Sequence, residues 1–174
     1  RPFITIKIAS SADWKSHSKD GSTTWITSEA SRKDVQLVRA EHDAILTGGN
    51  TVRTDQPRMN ARVEFPLIQP HKILLSEQKK WDLSLDFFQD SRVNIMSEKN
   101  LVKVVEDLSK QEINSLLVEA GPKLVNSFLN EELCDQLIVY QSPDKLGDDG
   151  VSWFQNEAMI DKYDLSLKSS YTID

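Results

Sequence analysis

The sequence predicts a single α/β domain in three layers, with a mostly parallel central sheet covered by helices on both faces. Three observations carry this reading. Strand-length apolar segments alternate with amphipathic ones through the first 140 residues, and such alternation requires helical crossovers between parallel strands. Some strand segments, Ala44-Ile45-Leu46 and the Leu116-Leu117-Val118 part of Ile113 to Val118, are apolar throughout, the pattern of strands buried on both faces. The length is 174 residues, which at roughly 150 residues per domain is one domain with a full core.

The elements follow in order. Residues 3–9 alternate Ile4, Ile6 and Ile8 against Thr5 and Lys7, a strand with one buried face. Residues 10–24 are polar and contain the turn signal Asp20-Gly21. Thr27 or Ser28 can cap a helix from about 29 to 41, with Glu29 in its first turn. Ala44-Ile45-Leu46 is a short strand ended by Gly48-Gly49. His71 to Ser76 and Val93 to Ser97 read as two more. Leu101, Val104, Val105 and Leu108 fall at i, i+3, i+4 and i+7, so 98–109 is an amphipathic helix. The run from Ile113 to Val118 is a strand. Gly121-Pro122 opens a helix whose buried face is Leu124, Val125, Phe128 and Leu129. Residues 135–141 form another strand. Beyond Gly150, strands are expected near 151–154 and 164–172.

Composition narrows the function. There are 21 Lys+Arg against 27 Asp+Glu, a formal charge of −6, which argues against a general nucleic-acid binder. No apolar run approaches the roughly 18 residues of a membrane span. The single cysteine, Cys134, excludes an internal disulfide framework and fits a reducing compartment, so a cytoplasmic location is expected. The opening Arg1-Pro2-Phe3-Ile4 has neither an initiator Met nor the pattern of a signal peptide, so a fragment or processed product is expected.

Ligands of parallel α/β sheets sit outside the carboxyl ends of strands. Three segments fall at such ends: Ala9 to Trp25, Gly48 to Arg62, and Glu119 to Ser127. They are expected to wall one site. In Thr47-Gly48-Gly49-Asn50-Thr51-Val52 the glycines let backbone N–H groups approach a phosphate, or serve a plain strand-to-helix turn. At Glu119-Ala120-Gly121-Pro122 a helix N-terminus suits a pyrophosphate, unless it is simply a capped connection. Asp55 to Arg62 holds an acid and two arginines, whose forked donors suit phosphate as well as solvent. Metal chemistry is not expected: His17, His42 and His71 lack ligand spacing with one another or with Cys134. Neither a zinc-deaminase signature nor a nucleophile elbow is present. Trp14, Trp25, Trp81 and Trp153 are too scattered for a base-stacking platform.

Taken together and in order, these segments resemble the reductase domain of the bifunctional riboflavin biosynthesis deaminase/reductases (RibD). The resemblance rests on five stretches. Lys7-Ile8-Ala9-Ser10-Ser11-Ala12-Asp13-Trp14-Lys15 has the form K-x-A-x-S-x-D-G-[RK], with Trp14 in place of Gly. Trp25-Ile26-Thr27-Ser28-Glu29-Ala30-Ser31-Arg32 follows W-I-T-x-x-x-A-R with a shift at its end. The longest, Asp43 to Arg62, follows D-A-I-L-T-G-x-x-T-V-x-x-D-x-P-x-L-x-x-R with Met59 in place of Leu. Val118 to Leu124 matches V-E-[GA]-G-P-x-L, and Asp135 to Pro143 follows D-E-L-x-x-Y-x-x-P with Gln136 in place of Glu.

The resemblance implies a dihydrofolate-reductase-like fold with antiparallel C-terminal strands. It implies reduction of the ribosyl group of 5-amino-6-(5-phosphoribosylamino)uracil to a ribityl chain by NADPH, through hydride transfer to C1′. It also implies a zinc deaminase domain preceding Arg1, to which deamination belongs, and a homo-oligomer with no nucleic-acid or membrane partner. By position, cofactor contacts would be Ala9, Trp25, Thr51, Asp55, Ser76, Gly121, Pro122, Lys123, Leu124, Val125, Asn126 and Ser127, with the turn at Thr47 and Gly48. Substrate contacts would be Lys7, Thr23, Arg39, Met59, Arg62 and Glu119. Lys7, Asp55 and Glu119 are the candidates for polarising the imine or handling its proton. Two other readings stand beside this one. One is a different pyrimidine or pteridine reductase on the same fold. The other is a non-catalytic NADPH-binding docking domain, motivated by Trp14.

Overall fold

The computed structural model describes residues 1–20, 27–89, 92–154 and 166–173. Eight strands and four α-helices alternate along them: β1 (Phe3–Ser10), β2 (Lys15–Ser18), α1 (Glu29–Ala40), β3 (Ala44–Gly48), α2 (Gly49–Asp55), β4 (His71–Leu75), β5 (Val93–Met96), α3 (Leu101–Lys110), β6 (Ser115–Val118), α4 (Pro122–Asn130), β7 (Gln136–Gln141) and β8 (Gly150–Ser152). Six strands form one sheet in the order β5-β4-β3-β6-β1-β7. Every neighbouring pair in it is parallel.

This order dictates the layers. From β1 the chain moves through β3 and β4 to the β5 edge, then returns to β6 and leaves through β7. Parallel crossovers are right-handed, so the outward and return halves lay their helices on opposite faces. The packing agrees. On one face Ile4, Ile6, Ile8, Leu46, Leu116 and Val118 meet the apolar stripes of α3 and α4. On the other, Ile45, Leu74 and Leu117 meet Val52 of α2 and Val38 of α1. The direction reverses at β3 and β6: β3 feeds α2 on one face and β6 feeds α4 on the other. The crevice between their carboxyl ends is the binding position of doubly wound sheets.

The helix starts are chemically specified. Ser28 caps α1 by accepting from the Ser31 N–H, and Asn100 caps α3 by accepting from the Lys103 N–H. The second cap starts α3 at Leu101, three residues later than the periodicity predicts. Pro122 opens α4 behind Gly121.

The expected antiparallel C-terminal strand is present: β8 pairs antiparallel with β2 in a separate two-stranded sheet beside the parallel six-stranded one. Three expectations need correction. First, β2 lies in the stretch read as polar loop, because Lys-Ser-His-Ser has no apolar alternation; its partner β8 is more than 130 residues away. Second, the described residues 166–173 carry no strand, against the one expected over 164–172. Finally, β6 begins at Ser115, because the Ile113 N–H still closes the end of α3 on the Leu108 carbonyl. Among the described residues no helix is long and apolar enough to cross a membrane.

Candidate functional site

Register sets the first half of the site. The Glu119 N–H donates to the Leu46 carbonyl at 3.0 Å, so Glu119 continues the β6 ladder one residue past Val118. Side chains alternate across a strand, which turns Glu119 to the face of Leu117 and away from Val118. Lys7 of β1 points to the same face, opposite Ile6 and Ile8. Arg39, in the last turn of α1, reaches this point from the covering layer. Its Nε and Nη2 donate to the two Glu119 oxygens at 2.6 and 3.0 Å, a bidentate pair. Lys7 Nζ lies 3.5 Å from Glu119 Oε2. Burial by itself would raise the Glu119 pKa; the charges of Arg39 and Lys7 outweigh it and hold the group at about 2. Glu119 is therefore an ionised acceptor at neutral pH, faced by two cations.

The third Arg39 donor, Nη1, bonds the Asn60 carbonyl at 3.3 Å. Asn60 Oδ1 in turn accepts from Arg62 Nη1 at 2.9 Å, and the Arg62 N–H donates to Gln36 of α1. The loop after α2 is thus pinned to α1 by its backbone. Burial, together with the nearby charges of Arg39 and Arg58, lowers the Arg62 pKa. Arg39, Arg58 and Arg62 thus share one neighbourhood, although Arg39 spends its donors on Glu119 and Asn60. Met59 is buried against Val52 and has a positive φ of 48°.

On the outer side of Lys7, the β7 residue Tyr140 stands opposite Ala9 in the parallel register. Lys7 Nζ lies 5.7 Å from the centre of its ring, and its hydroxyl donates to Asp34 Oδ2 of α1 at 2.5 Å. Neither Asp34 nor Tyr140 is singled out as a site residue by the sequence. The signal that finds them is spatial: one lies a turn above Arg39 on α1, the other beside Lys7 on the next strand.

The second half lies at the ends of β4, β3 and β6. A Cβ on Gly49 would stand 2.8 Å from Ser76 Oγ and 3.2 Å from the Trp81 ring, so glycine here leaves room for these two side chains at the start of α2. A Cβ on Gly48 would touch Leu124 of α4 at 3.4 Å, whereas one on Gly121 would meet nothing within 4 Å. The first turn of α4 is therefore open beside the β3 end. On the opposite face, that of Ile45, the Thr47 hydroxyl is fully buried and has no hydrogen-bond partner among the described residues.

The remaining expected residues scatter. Asp55 is exposed at the last residue of α2, and none of the contacts described joins it to Lys7 or Glu119. Thr51 is half-buried on α2. The Ala9 carbonyl accepts from Trp153 Nε1 at 2.8 Å. In α4, Val125 faces the core, Asn126 is tied to the Pro122 and Trp153 carbonyls, and Ser127 bonds the Lys123 carbonyl. Thr23 and Trp25 lie outside the described residues. Trp14 has φ 58°, which accounts for Gly at this place in the related pattern. Its ring meets Phe154 at 5.8 Å and packs on the α3/α4 face of the sheet, opposite to the face that carries Lys7 and Glu119. Burial, then Asp135, pushes the Cys134 thiol up to about 11, which keeps it protonated.

Comparison with known proteins places this geometry in a family context. Residues 2–174 match the model of the RibD C-terminal domain. The chain is 35% identical over 180 residues to the riboflavin biosynthesis protein RibD of Haemophilus influenzae, covering 84% of this chain and 48% of that protein. The chain spans about half the length of the curated relatives it matches. Among solved structures it resembles Acinetobacter baumannii RibD, with TM-score 0.82 and 30% identity over 90% of this chain and 50% of that one. It also resembles the Thermotoga maritima diaminohydroxyphosphoribosylaminopyrimidine deaminase/5-amino-6-(5-phosphoribosylamino)uracil reductase, with TM-score 0.77 and 26% identity over 88% of this chain and 48% of that one.

Proposed function

This chain belongs to the RibD C-terminal domain family, and on that premise we propose that it reduces 5-amino-6-(5-phosphoribosylamino)uracil to its ribityl product with NADPH. The observation that carries the reading is the convergence of Lys7 and Arg39 on the buried Glu119 carboxylate, beside the crevice where the sheet changes direction. One feature of the crevice fits a dinucleotide phosphate: the first turn of α4, where a Cβ on Gly121 would meet nothing within 4 Å. When bound, the nicotinamide supplies the hydride.

The protein's own groups do the rest. Ring opening of the N-glycoside gives an imine between C1′ and the exocyclic nitrogen. Hydride addition at C1′ leaves that nitrogen needing one proton. Glu119, held ionised, is an acceptor and not the donor at neutral pH. Lys7, an ammonium with three donors, is the group that polarises the imine and hands over the proton. Asp55, exposed on α2, is the weakest of the three candidates for this role. The ribose phosphate falls to Arg62, with Arg58 adding charge, while Arg39 serves as the clamp on Glu119. A deaminase domain elsewhere in the protein and self-association of the chain belong to the same reading. The docking-domain alternative loses its motive, because the Trp14 ring packs on Phe154.

The test is NADPH oxidation, followed by nicotinamide absorbance, with the phosphorylated aminouracil. Lys7→Ala and Glu119→Gln are each expected to lower kcat by at least a hundredfold, the usual scale for a positioned proton-transfer group. Arg62→Ala is expected to act chiefly on KM. Wild-type turnover in both of the first two variants overturns the assignment.

A further inference from the structure

The reading above leaves Lys7 with a task that demands an aimed ammonium, yet lysine is a flexible four-carbon stem with a point charge. Glu119 fixes it from one side only, at 3.5 Å, and already gives its best geometry to Arg39. The opposite side is occupied by Tyr140. The register sets Ala9 opposite Tyr140 and Lys7 opposite Ile138, so Tyr140 lies diagonally across from Lys7 on the same face of the sheet. Its ring centre is 5.7 Å from Lys7 Nζ, within the reach of a cation–π contact. The ring is itself anchored, because its hydroxyl donates to Asp34 Oδ2 from α1 at 2.5 Å. Tyr140 is 6% exposed. A phenol this enclosed, donating to a carboxylate, stays protonated: burial and Asp34 both raise its pKa.

We propose that Tyr140, locked by Asp34, is a positioning residue that holds the Lys7 ammonium between an aromatic face and Glu119. The proposal rests on the reductase reading for its functional consequence, and on the geometry alone for the contact. Asp34 and Arg39 then have a shared logic. Both project from α1, Arg39 clamping the carboxylate and Asp34 clamping the ring, so that one helix sets both walls around Lys7. A tyrosine serves better here than phenylalanine because its hydroxyl ties the ring to the helix. Desolvated cation–π contacts are stronger than exposed ones, and the Lys7 side chain is only 17% exposed.

The test is a double-mutant cycle with a structural readout beside it. Tyr140→Leu is expected to lower kcat at least tenfold with KM within about threefold, and Tyr140→Phe to fall between it and the wild type. In a Lys7→Ala background the same Tyr140→Leu change is expected to cost less than twofold, because its effect passes through Lys7. Equal losses in both backgrounds would mark Tyr140 as a fold residue only and overturn the proposal. The second readout is the proton–carbon spectrum of lysine labelled at Cε, with the Lys7 signal assigned from Lys7→Arg. The ring current places that signal upfield of the exposed lysines, and Tyr140→Leu returns it to them. A Lys7 signal that does not move overturns the contact. If the wild-type chain turns over no aminouracil, the reductase reading falls by itself, and the spectrum still decides whether Tyr140 holds Lys7.

Discussion

At the scale of single residues the decisive fact is a carboxylate that is almost fully buried and still ionised. Removing Glu119 from water costs several kcal/mol, and only two cations at hydrogen-bonding range offset it. Its pKa in the fold, about 2, lies below the ordinary glutamate value of 4.5. A depressed pKa contributes stability that is complete above the unfolded value and is lost as pH falls through the folded one. Glu119→Gln is therefore expected to be destabilised at pH 7 by on the order of 3 kcal/mol. The gap to the wild type should close as pH falls from about 4.5 toward 2, where the wild type loses the same contribution. Denaturant melts of both proteins at neutral and acid pH measure this, and a gap that ignores pH contradicts it. The family resemblance marks Glu119, Lys7 and Arg39 individually as substrate contacts. It does not show that Arg39 belongs to Glu119 and not to a phosphate. That pairing spans 80 residues and depends on where α1 crosses the sheet.

At the scale of elements, α3 and α4 end in the same way, and this explains a boundary the sequence blurs. After α3 the Glu112 N–H bonds the Ser109 carbonyl and the Ile113 N–H bonds the Leu108 carbonyl. After α4 the Glu132 N–H bonds Leu129 and the Leu133 N–H bonds Phe128. Both are Schellman closures, each with a buried apolar residue, Ile113 or Leu133, packed beyond the end. The left-handed position in each is a glutamate, Glu112 at φ 62° and Glu132 at φ 55°. Glycine is the usual residue there, so its absence hides the stop, and Ile113 reads as the start of a strand. A non-glycine residue in this conformation costs roughly 1–2 kcal/mol, partly offset by the backbone freedom glycine would lose. Glu112→Gly and Glu132→Gly are each expected to stabilise the domain by roughly 0.5–1 kcal/mol. Thermal unfolding should rise by about 1–4 °C for each. A fall in either variant shows that the glutamate side chain contributes more than its backbone costs. The extent of α2, beyond the strand-to-helix turn that opens it, is hidden for a different reason. Gly-Asn-Thr-Val-Arg-Thr-Asp offers Val52 alone to the core, too little to define a period.

At the scale of the molecule, the parts most legible in the sequence are those held by local pattern, and the least legible are those held by distant pairing. The parallel sheet follows from strand–helix alternation, and its crevice follows from the sheet. The β2–β8 pair does not, since Lys15 meets Ser152 and His17 meets Val151 with no apolar alternation on the β2 side. This small sheet is joined to the large one by hydrogen bonds and by its flanking rings Trp14, Trp153 and Phe154, which pack into the main core. The Asp13 carboxylate accepts from Ser11 Oγ and from the Leu146 and Gly147 N–H groups, tying the turn after β1 to the segment that leads into β8. Trp153 Nε1 bonds the Ala9 carbonyl, and Asn126 of α4 bonds the Trp153 carbonyl. The six-stranded sheet, by contrast, is buried from both faces. The strands β2 and β8 themselves place no side chain in either apolar core, and regions with few buried apolar contacts open at lower free energy, so this pair should open separately from the six-stranded sheet. Asp13→Ala is expected to speed hydrogen exchange at 15–18 and 150–152 at least tenfold while leaving the amides of β1, β3 and β6 within about twofold. If exchange rises equally in both sheets, the small sheet is part of the core's cooperative unit, and the turn at Asp13 supports the whole fold instead of the small sheet alone.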